Sequence, residues 1–548
     1  MCCCSKTVSV IAACSVRLLR CLGWAAFCAS IGVVLVSLVS QVACGPETGQ
    51  AVWPTPRLWR YFGTTLWMAT SAATLALLLA LPAAFALVSA GRAWQRRLLR
   101  SLTIIPLLTM PSLFAYAWML IATSPNAAVA RLVRLVGWNT PGVEPLQAAW
   151  VMAAWLWPVP ALVLAASFKH AGLHAYQLAC LDATPVKAFV RGALPVMRGP
   201  LVAALAVVFI LAATDATVPP LMGASQVWSV EMLANANVAL ACSRPAAFLF
   251  WASWPMLAAI GVAAAAALPG LRRMTGWADE ADVGSSISSR PGWWFLAILL
   301  AGAVTLFPIV VFACELAVGR SPPLTTLSTV WNTCGNAILA TLLVAALSGA
   351  AGALLALAVL DDPNRPLLVR LPGILASALC LATAVLPPEL TATALAGFFS
   401  SRWLSPPEGW NLYDNTPIAW IAAMLARFVF LPVCVVRLLN RRSLAELTAV
   451  ARSDGAGPTE CLAHVRLPAL WRGLAASAMM VACLTLSEAA ASVLVQAPRF
   501  FGGSLAVHVD SQIHYGRQGE TTATSLMLIV PAVLAGAFVP LLGRRRSQ

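Results

Sequence analysis

Long apolar stretches dominate this chain and leave few ways for it to fold. Twelve stretches of about 20 predominantly apolar residues can be counted, a length that spans the hydrocarbon core of a bilayer as a helix. Only 10% of the residues are charged, whereas soluble domains carry roughly a quarter. We therefore expect an all-α, multi-pass protein of the lipid bilayer. The predicted spans are 21–43, 63–90, 102–123, 148–167, 200–220, 246–269, 293–317, 333–360, 371–397, 417–437, 474–495 and 525–542.

Lysine and arginine are distributed unevenly between the segments that connect these spans. With the N-terminus inside, the cytoplasmic segments hold 25 of the 35 basic residues when Arg437, at the inner end of its span, is counted with them; the outer loops hold 9, and Arg427 lies within a span. Cytoplasmic loops of membrane proteins carry such an excess. The pattern predicts that both termini are cytoplasmic. It also accounts for the net charge of +15 without a nucleic-acid partner, because no basic cluster with interleaved aromatics lies on a polar domain.

One polar stretch, residues 271–292, divides the twelve spans into six and six. It is acidic and bears Gly and Ser, a composition typical of a flexible linker. We predict an N-terminal tail with the first helix and an outer loop (1–60), a first transmembrane domain (61–268), a cytoplasmic linker (271–292) and a second transmembrane domain (331–541).

Cysteine and histidine give no sign of a metal or cofactor site. Seven of the fifteen cysteines are scattered through spans, where Cys behaves as a small hydrophobe, and no Cys or His set has structural zinc spacing. His170 and His174 are four residues apart, but a solvated helix face explains them better than metal binding. The run Cys2-Cys3-Cys4 is interpreted as an ordinary tail. Cleavage of the first span as a leader ending at Cys44 is disfavoured.

Two cytoplasmic segments carry the same sequence pattern. Each has a two-residue turn signal, ten further residues and then Leu-Pro, and the two copies lie 273 positions apart. Each is expected to form a short helix, a turn marked by Asp or Gly, and a second helix that ends at Leu-Pro, where the next span starts. The residues concerned are Asp182, Ala183, Leu194 and Pro195 in the first copy, and Gly455, Ala456, Leu467 and Pro468 in the second.

At these residues the chain resembles the permeases of binding-protein-dependent ABC importers, whose signature loop runs E-A-A, three residues, G, then about a dozen residues to L-P. The resemblance covers residues 61–268 and 331–541. It is strongest to the fused iron(III)-type permeases, with thiamine permeases close by. Three further segments support that subgroup: TDATVPPLMG, SEAAASVLV and IHYGRQGE.

The two loops also depart from the signature. Tyr176 and Ala449 replace the signature Glu, and Asp182 replaces the Gly of the first copy. These departures weaken what can be inferred about how each loop docks.

This resemblance implies the partners and the location of the chain. Each loop would insert into a cleft of a separate ATPase dimer, and a periplasmic binding protein would deliver the solute to a permease in the bacterial inner membrane. The chain contains no Gly-Lys dipeptide and hence no glycine-rich phosphate loop, so we expect neither an enzyme nor a bound cofactor. Iron(III) or a similar cation is the expected cargo; thiamine, sulfate and polyamines stay open.

Two acids inside apolar stretches, Asp215 and Glu488, are related by the same offset of 273 positions. Such residues cost roughly 2.5–3.5 kcal/mol on insertion and normally face a cavity or a partner. Both are candidates for lining a translocation pathway. The alternative, given equal weight, is that each caps a broken helix or pairs with Arg427 or another basic group. Glu389 and Glu315 are weaker candidates, expected near the outer interface.

His508, Asp510 and His514 lie in the last outer loop. We interpret them as part of a contact surface for the binding protein rather than as metal ligands.

Two other classes of protein were weighed. A secondary transporter with six plus six helices also has intramembrane acids. However, the loop from Gly91 to Arg100 lacks the acid that facilitator-type transporters carry there. A polytopic membrane enzyme would need catalytic side chains clustered at one membrane face, and the sequence shows none.

Overall fold

The structure is a computed structural model of the whole chain. It describes residues 18–43, 55–89, 92–123, 142–241, 247–277, 291–318, 322–360, 366–401, 412–439, 442–457, 460–496 and 502–542, with a few residues between 131 and 140. The termini, the Cys2-Cys3-Cys4 run, Cys44 and most of the predicted linker lie outside this part of the chain.

All regular secondary structure in the described part of the chain is helical, and that part contains no strand. Nine helices are long and apolar enough to cross a membrane, and three bent pairs of shorter helices raise the number to twelve. The protein is thus an all-α, multi-pass membrane protein, as predicted, and each predicted span matches one helix or bent pair. The helices are α1 (Leu18–Ser40), α2 (Pro56–Ser89), α3 (Ala93–Leu108), α4 (Pro111–Ala122), α5 (Glu144–Leu156), α6 (Pro158–Ser167), α7 (Leu173–Ala179), α8 (Pro185–Ala188), α9 (Leu194–Ala213), α10 (Val218–Leu221), α11 (Trp228–Ala241), α12 (Ala247–Trp277), α13 (Pro291–Val318), α14 (Pro323–Val359), α15 (Leu367–Val385), α16 (Pro388–Phe399), α17 (Leu412–Asn415), α18 (Ile418–Phe428), α19 (Phe430–Leu439), α20 (Arg442–Ser453), α21 (Leu467–Ser487), α22 (Ala490–Val495), α23 (Leu505–His514) and α24 (Gln518–Leu542).

Several predicted spans are broken rather than straight. The span at 102–123 bends by 91° between α3 and α4, and the span at 371–397 is interrupted between α15 and α16. The backbone is extended at both breaks, at Thr109 and Met110 in the first and at Leu386 and Pro387 in the second. A proline follows each break as the first residue of the next helix. Because the residue before a proline is disfavoured in the helical region, these prolines explain both interruptions.

The same order and pairing of helices occurs twice. In the first half α2 packs on α5, α6 and α9, and in the second half α14 packs on α18, α19 and α21. A specific hydrogen bond is repeated as well: the Trp228 N–H donates to Thr65 Oγ1, and the Leu505 N–H donates to Thr341 Oγ1, both at 2.9 Å. Each bond ties the start of a short helix, α11 or α23, to the long second helix of its half, α2 or α14.

The first helix of each half packs against the other half. Helix α1 lies on α15, α16 and α18, and α13 lies on α2, α3 and α4. Ser37 on α1 donates a hydrogen bond to the Ala394 carbonyl at 2.9 Å, and Thr305 on α13 donates one to the Leu102 carbonyl at 2.8 Å. The two halves are therefore interlocked through buried hydroxyl groups.

The helices that follow the breaks also cross between the halves. Leu390 and Leu395 on α16 belong to a core that includes Trp228 of α11 in the first half. Leu113 on α4 belongs to a second core that includes Val509 of α23 in the second half. Helices α4 and α16 thus lie at the interface between the halves, where the acidic residues described below are also found.

The predicted linker is shorter than expected. Helix α12 continues to Trp277 and α13 begins at Pro291, so only residues 278–290 remain between them, outside the described residues. The helix passes through Arg272 and Arg273 because nothing in that stretch breaks it.

Candidate functional site

Asp215 lies just after the end of α9 and caps the short helix α10. Its Oδ1 accepts hydrogen bonds from the Thr217 N–H at 2.8 Å, the Val218 N–H at 2.9 Å and the Thr217 hydroxyl at 3.0 Å. The first N–H groups of a helix have no partner within it, so a carboxylate placed before them stabilises both the donors and its own charge. Asp215 is 8% exposed.

Glu488 occupies the equivalent place between α21 and α22. Its Oε1 accepts a hydrogen bond from the Ala491 N–H at 3.1 Å, and its Oε2 lies 2.9 Å from Arg427 Nε. Arg427 is on α18, and the side chains of Arg427 and Glu488 are 18% and 9% exposed. This is a mostly buried ion pair, supported on the carboxylate side by a helix N-terminus.

The two acids therefore make the contacts that the alternative interpretation described, with a cap at Asp215 and a cap plus an ion pair at Glu488. Capping is compatible with a position beside a pathway, because an irregular backbone at membrane depth occurs only inside protein or along a cavity. The pathway role of these two acids stays a prediction.

Glu389 is the acid whose importance the sequence analysis underestimated. It is fully buried in the first turn of α16, and neither carboxylate oxygen has a hydrogen-bond partner. It interacts electrostatically with Arg427, Glu488 and Asp215. We expected Glu389 near the outer interface of the membrane; the structure shows that it is buried between helices, and its depth in the membrane stays a prediction. The sequence signal was the acid directly after Pro387-Pro388, where a new helix starts.

The equivalent position in the first half is Ser112, in the first turn of α4. Pro111 and Pro388 both begin the helix after the break, and Ser112 and Glu389 follow them. Ser112 Oγ is also fully buried and has no hydrogen-bond partner. Both halves thus place a polar side chain without a partner at the start of the crossing helix.

Two of the three residues of the predicted last outer loop lie together on α23: His514 Nδ1 is 3.9 Å from a carboxylate oxygen of Asp510 and 2.8 Å from its carbonyl oxygen. His514 is exposed, whereas His508 and Asp510 are half-buried on α23. Burial raises the pKa of Asp510 and lowers the pKa of His508, so their neutral forms are favoured. Asp510 also interacts electrostatically with Asp215. Of the three, His514 is the one placed to meet a partner, and the predicted contact surface stays a prediction.

In the second cytoplasmic loop, α20 ends in a left-handed turn at Gly455, whose φ is +88°. The Ala456 N–H donates to the Ala451 carbonyl and the Gly455 N–H donates to the Arg452 carbonyl, both at 3.0 Å. This pair of bonds is the Schellman motif, which uses glycine because a Cβ opposes a positive φ. The predicted turn is therefore confirmed at Gly455.

The first loop has the same order of elements with different chemistry at the turn. Helix α7 ends at Ala179, Asp182 is exposed in the turn, and α8 starts at Pro185. Gly192 lets the following segment approach α7 closely, because a Cβ there would lie 2.8 Å from the Ala175 carbonyl oxygen.

The prediction that each second helix ends at Leu-Pro was wrong in one respect. The backbone passes through a π-helical turn at Phe189–Ala193 or Cys461–Arg466 and continues directly into α9 or α21. A proline in a helix clashes with the carbonyl four residues earlier, and the wider π-turn lies at that point. Pro195 and Pro468 do occupy the first turn of their α-helices, as expected.

Both loops expose apolar side chains. On the first loop Leu178 and Leu181 are 55% and 79% exposed. On the second, Leu447 and Val450 are each 59% exposed, while Leu444 and Thr448 form the buried face of α20. Both loops thus carry large apolar side chains that the described part of the chain does not cover.

Among the described residues, no group of three or more His, Cys, Asp or Glu side chains is placed to hold a metal ion. The side chain of His170 lies outside the described residues, so its pairing with His174 is not part of that statement.

Comparison with known protein families, with curated proteins and with solved structures finds no match to this chain.

Proposed function

We propose that this protein is the membrane-spanning permease of an ATP-driven ABC importer. The observation that carries the proposal is the duplicated loop. Each copy consists of a short helix, a turn and a π-helical turn that leads into a membrane span, and each presents exposed apolar side chains. A surface that is presented twice fits a partner with two equivalent sites, such as an ATPase dimer.

A direct path exists from these loops to the centre of the protein. The π-turns lead without interruption into α9 and α21, and these helices end at Ala213 and Ser487, next to Asp215 and Glu488. A displacement of the loops would therefore be carried along two rigid helices to the breaks between the halves. This supports the coupling of a cytoplasmic ATPase to a site inside the membrane.

The acids at the centre favour a cation over an anion as cargo. Glu488 pairs with Arg427, and Asp215 and Glu389 both interact electrostatically with the same arginine. Carboxylates in a medium of low dielectric constant attract cations and repel sulfate. Iron(III) or a similar cation, released by a periplasmic binding protein, is the cargo we propose, with thiamine as the organic alternative. The membrane we propose is the bacterial inner membrane.

Broken helices that meet between two repeats are also found in secondary transporters, which use ion gradients. The exposed apolar surfaces of the two loops favour the ATPase-driven class, because a secondary transporter has no subunit to cover them.

The proposal can be tested by co-purification with a candidate ABC ATPase from the same organism. Replacing Leu178 and Leu181, or Leu447 and Val450, with Asp should release the ATPase, because the charges prevent burial of each loop. Tyr515→Asp, which changes an 80% exposed side chain on another loop, should leave co-purification intact. Retention of the ATPase by both loop variants would contradict the proposed docking surface.

A further inference from the structure

Glu389 lacks the charge compensation that the other central acids have. Asp215 accepts three hydrogen bonds, and Glu488 has one helix N–H and the Arg427 guanidinium. Glu389 is fully buried, and neither of its carboxylate oxygens has a hydrogen-bond partner. A buried carboxylate is stable only if it is paired or if it takes up a proton.

Among the described residues, no basic side chain forms a hydrogen bond with the Glu389 carboxylate. Arg427 is the one basic group that interacts with it electrostatically, and the Nε of that arginine is directed to Glu488 at 2.9 Å. The neighbouring acids Glu488 and Asp215 repel an ionised Glu389. Because neither oxygen of this buried carboxylate has a partner, the protonated carboxyl is the stable form, and an arriving cation would take the place of that proton.

The position of Glu389 is suited to contact with a solute that crosses the protein. It begins α16, the helix that packs against the first half, and it lies directly after a break in the membrane span. Ser112 occupies the corresponding place on α4 and is likewise buried without a partner. A break of this kind exposes backbone and polar side chains to the interior of the protein rather than to lipid.

We infer that Glu389 is the cargo-binding carboxylate of the membrane domain: it exchanges one proton for the positive charge of a transported cation. The carboxyl O–H bond breaks, the proton leaves to water, and the carboxylate pairs with the cation. No described set of three metal-ligating side chains exists. The cation therefore keeps its own ligands or water when it pairs with Glu389. This inference rests on the proposed function, and it names Glu389 as the residue that recognises the proposed class of substrate, a cation.

The experiment uses the purified permease and needs no ATPase, so it separates this inference from the proposed function. Dicyclohexylcarbodiimide adds to protonated carboxyl groups in apolar surroundings, and peptide mass mapping identifies the modified residue. We expect modification of Glu389 in the empty protein and at least a threefold slower reaction when a cation occupies the site. The probes are Mn²⁺ as an inorganic cation, thiamine as an organic cation and sulfate as an anion.

The two cations show which kind of cargo the site accepts. Protection by Mn²⁺ alone indicates an inorganic cation, and protection by thiamine alone indicates an organic one. Glu389→Gln should lose the modified peptide. Glu231→Gln changes a surface acid that pairs with Arg57, and it should leave both the modification and its protection unchanged. Absence of modification at Glu389, equal rates with and without both cations, or protection by sulfate would overturn the inference.

Discussion

Arg427 is the residue on which the electrostatics of the membrane centre depend. It is the only basic group that interacts with Glu389, Glu488 and Asp215 together within the described part of the chain. Its contact with Glu488 is short and mostly buried. A buried pair adds little net stability when it is intact, but removal of one partner leaves an uncompensated charge.

This asymmetry gives a prediction for stability. Arg427→Met should lower the free energy of unfolding by about 3–5 kcal/mol, because Glu488 loses its partner. Adding Glu488→Gln should restore a large part of the loss, since the neutral side chain needs no counter-charge and its oxygen still caps α22. Unfolding of both variants in detergent measures the effect. Equal stabilities of Arg427→Met and the parent would show that the pair has no structural role.

A second prediction concerns the charges of the two capping acids. In Asp215→Asn with Glu488→Gln, amide oxygens keep the caps while both negative charges disappear. Transport should fall while assembly with the ATPase is retained, because the attraction for a cation is weakened when Glu389 is the one central acid left, but the helix ends stay formed. Uptake and co-purification measured on the same variant check this. Transport at the parental rate would identify both acids as structural caps alone.

The central residues could be found from the sequence only in part. Asp215 and Glu488 were evident because acids in apolar stretches are costly, and their capping and pairing were among the alternatives. The sequence did not show how deeply each acid is buried or which hydrogen-bond partners it has, because both depend on how the chain folds at the breaks. Glu389 was ranked low for the same reason: the sequence gives its neighbours in the chain but not the enclosure that leaves its carboxylate without a partner.

At the scale of helices, the π-turns and the left-handed turn determine how the cytoplasmic loops are held. Arg466 donates from Nε to Thr448 Oγ1 at 3.4 Å, which ties the π-turn to α20. Gly192 provides a comparable close contact in the first loop. The loops are therefore fixed to the spans that follow them, and not suspended as free connections.

Gly455 provides the prediction that belongs to this scale. Gly455→Val should strain the left-handed turn by about 1–2 kcal/mol and uncouple ATP hydrolysis from uptake, because φ there is +88°. Gly457→Val is the matched control, since Gly457 has no positive φ and ample space around it. Substitution of Asp182, where the turn already carries a side chain, should be milder. Equal ATPase-to-uptake ratios for the two glycine variants would contradict the assigned turn.

The twelve spans were predictable because apolar length alone decides them. The breaks at 109–110 and 386–387 were not predicted, although Pro111 and Pro388 mark both. Proline inside a membrane helix is tolerated when neighbouring groups satisfy the freed backbone, so its presence does not decide between a kink and a full interruption. The Trp155 indole N–H, which donates to the Thr109 carbonyl at 3.1 Å, is such a neighbour.

For the whole molecule, the interlocking of the halves is the feature that sequence could not supply. Helices α1 and α13 each pack on the opposite half, and α4 and α16 cross between them. Similar apolar helices can pair in many ways, so composition does not choose the partner. Buried contacts such as the hydrogen bond from Ser37 to Ala394 determine which helices pair, and these contacts exist only in the assembled fold.

The orientation in the membrane is predicted from the excess of basic residues on one side. Reporter fusions after Gln548 and within residues 278–288 should both give a cytoplasmic signal, because an even number of spans separates these sites. A fusion in the outer loop after Arg244 serves as the control and should report the opposite side. A periplasmic signal at either of the first two sites would contradict the arrangement of six plus six spans.

The central claim is that a separate ATPase drives cation uptake through this chain. Its most direct test is transport into proteoliposomes that hold the permease, with the binding protein and loaded cation outside, and with ATP and the ATPase inside. We predict uptake when ATP, the ATPase and the binding protein are all present, and none when proton or sodium gradients replace ATP. Gradient-driven uptake by the permease alone would contradict the account and would identify a secondary transporter.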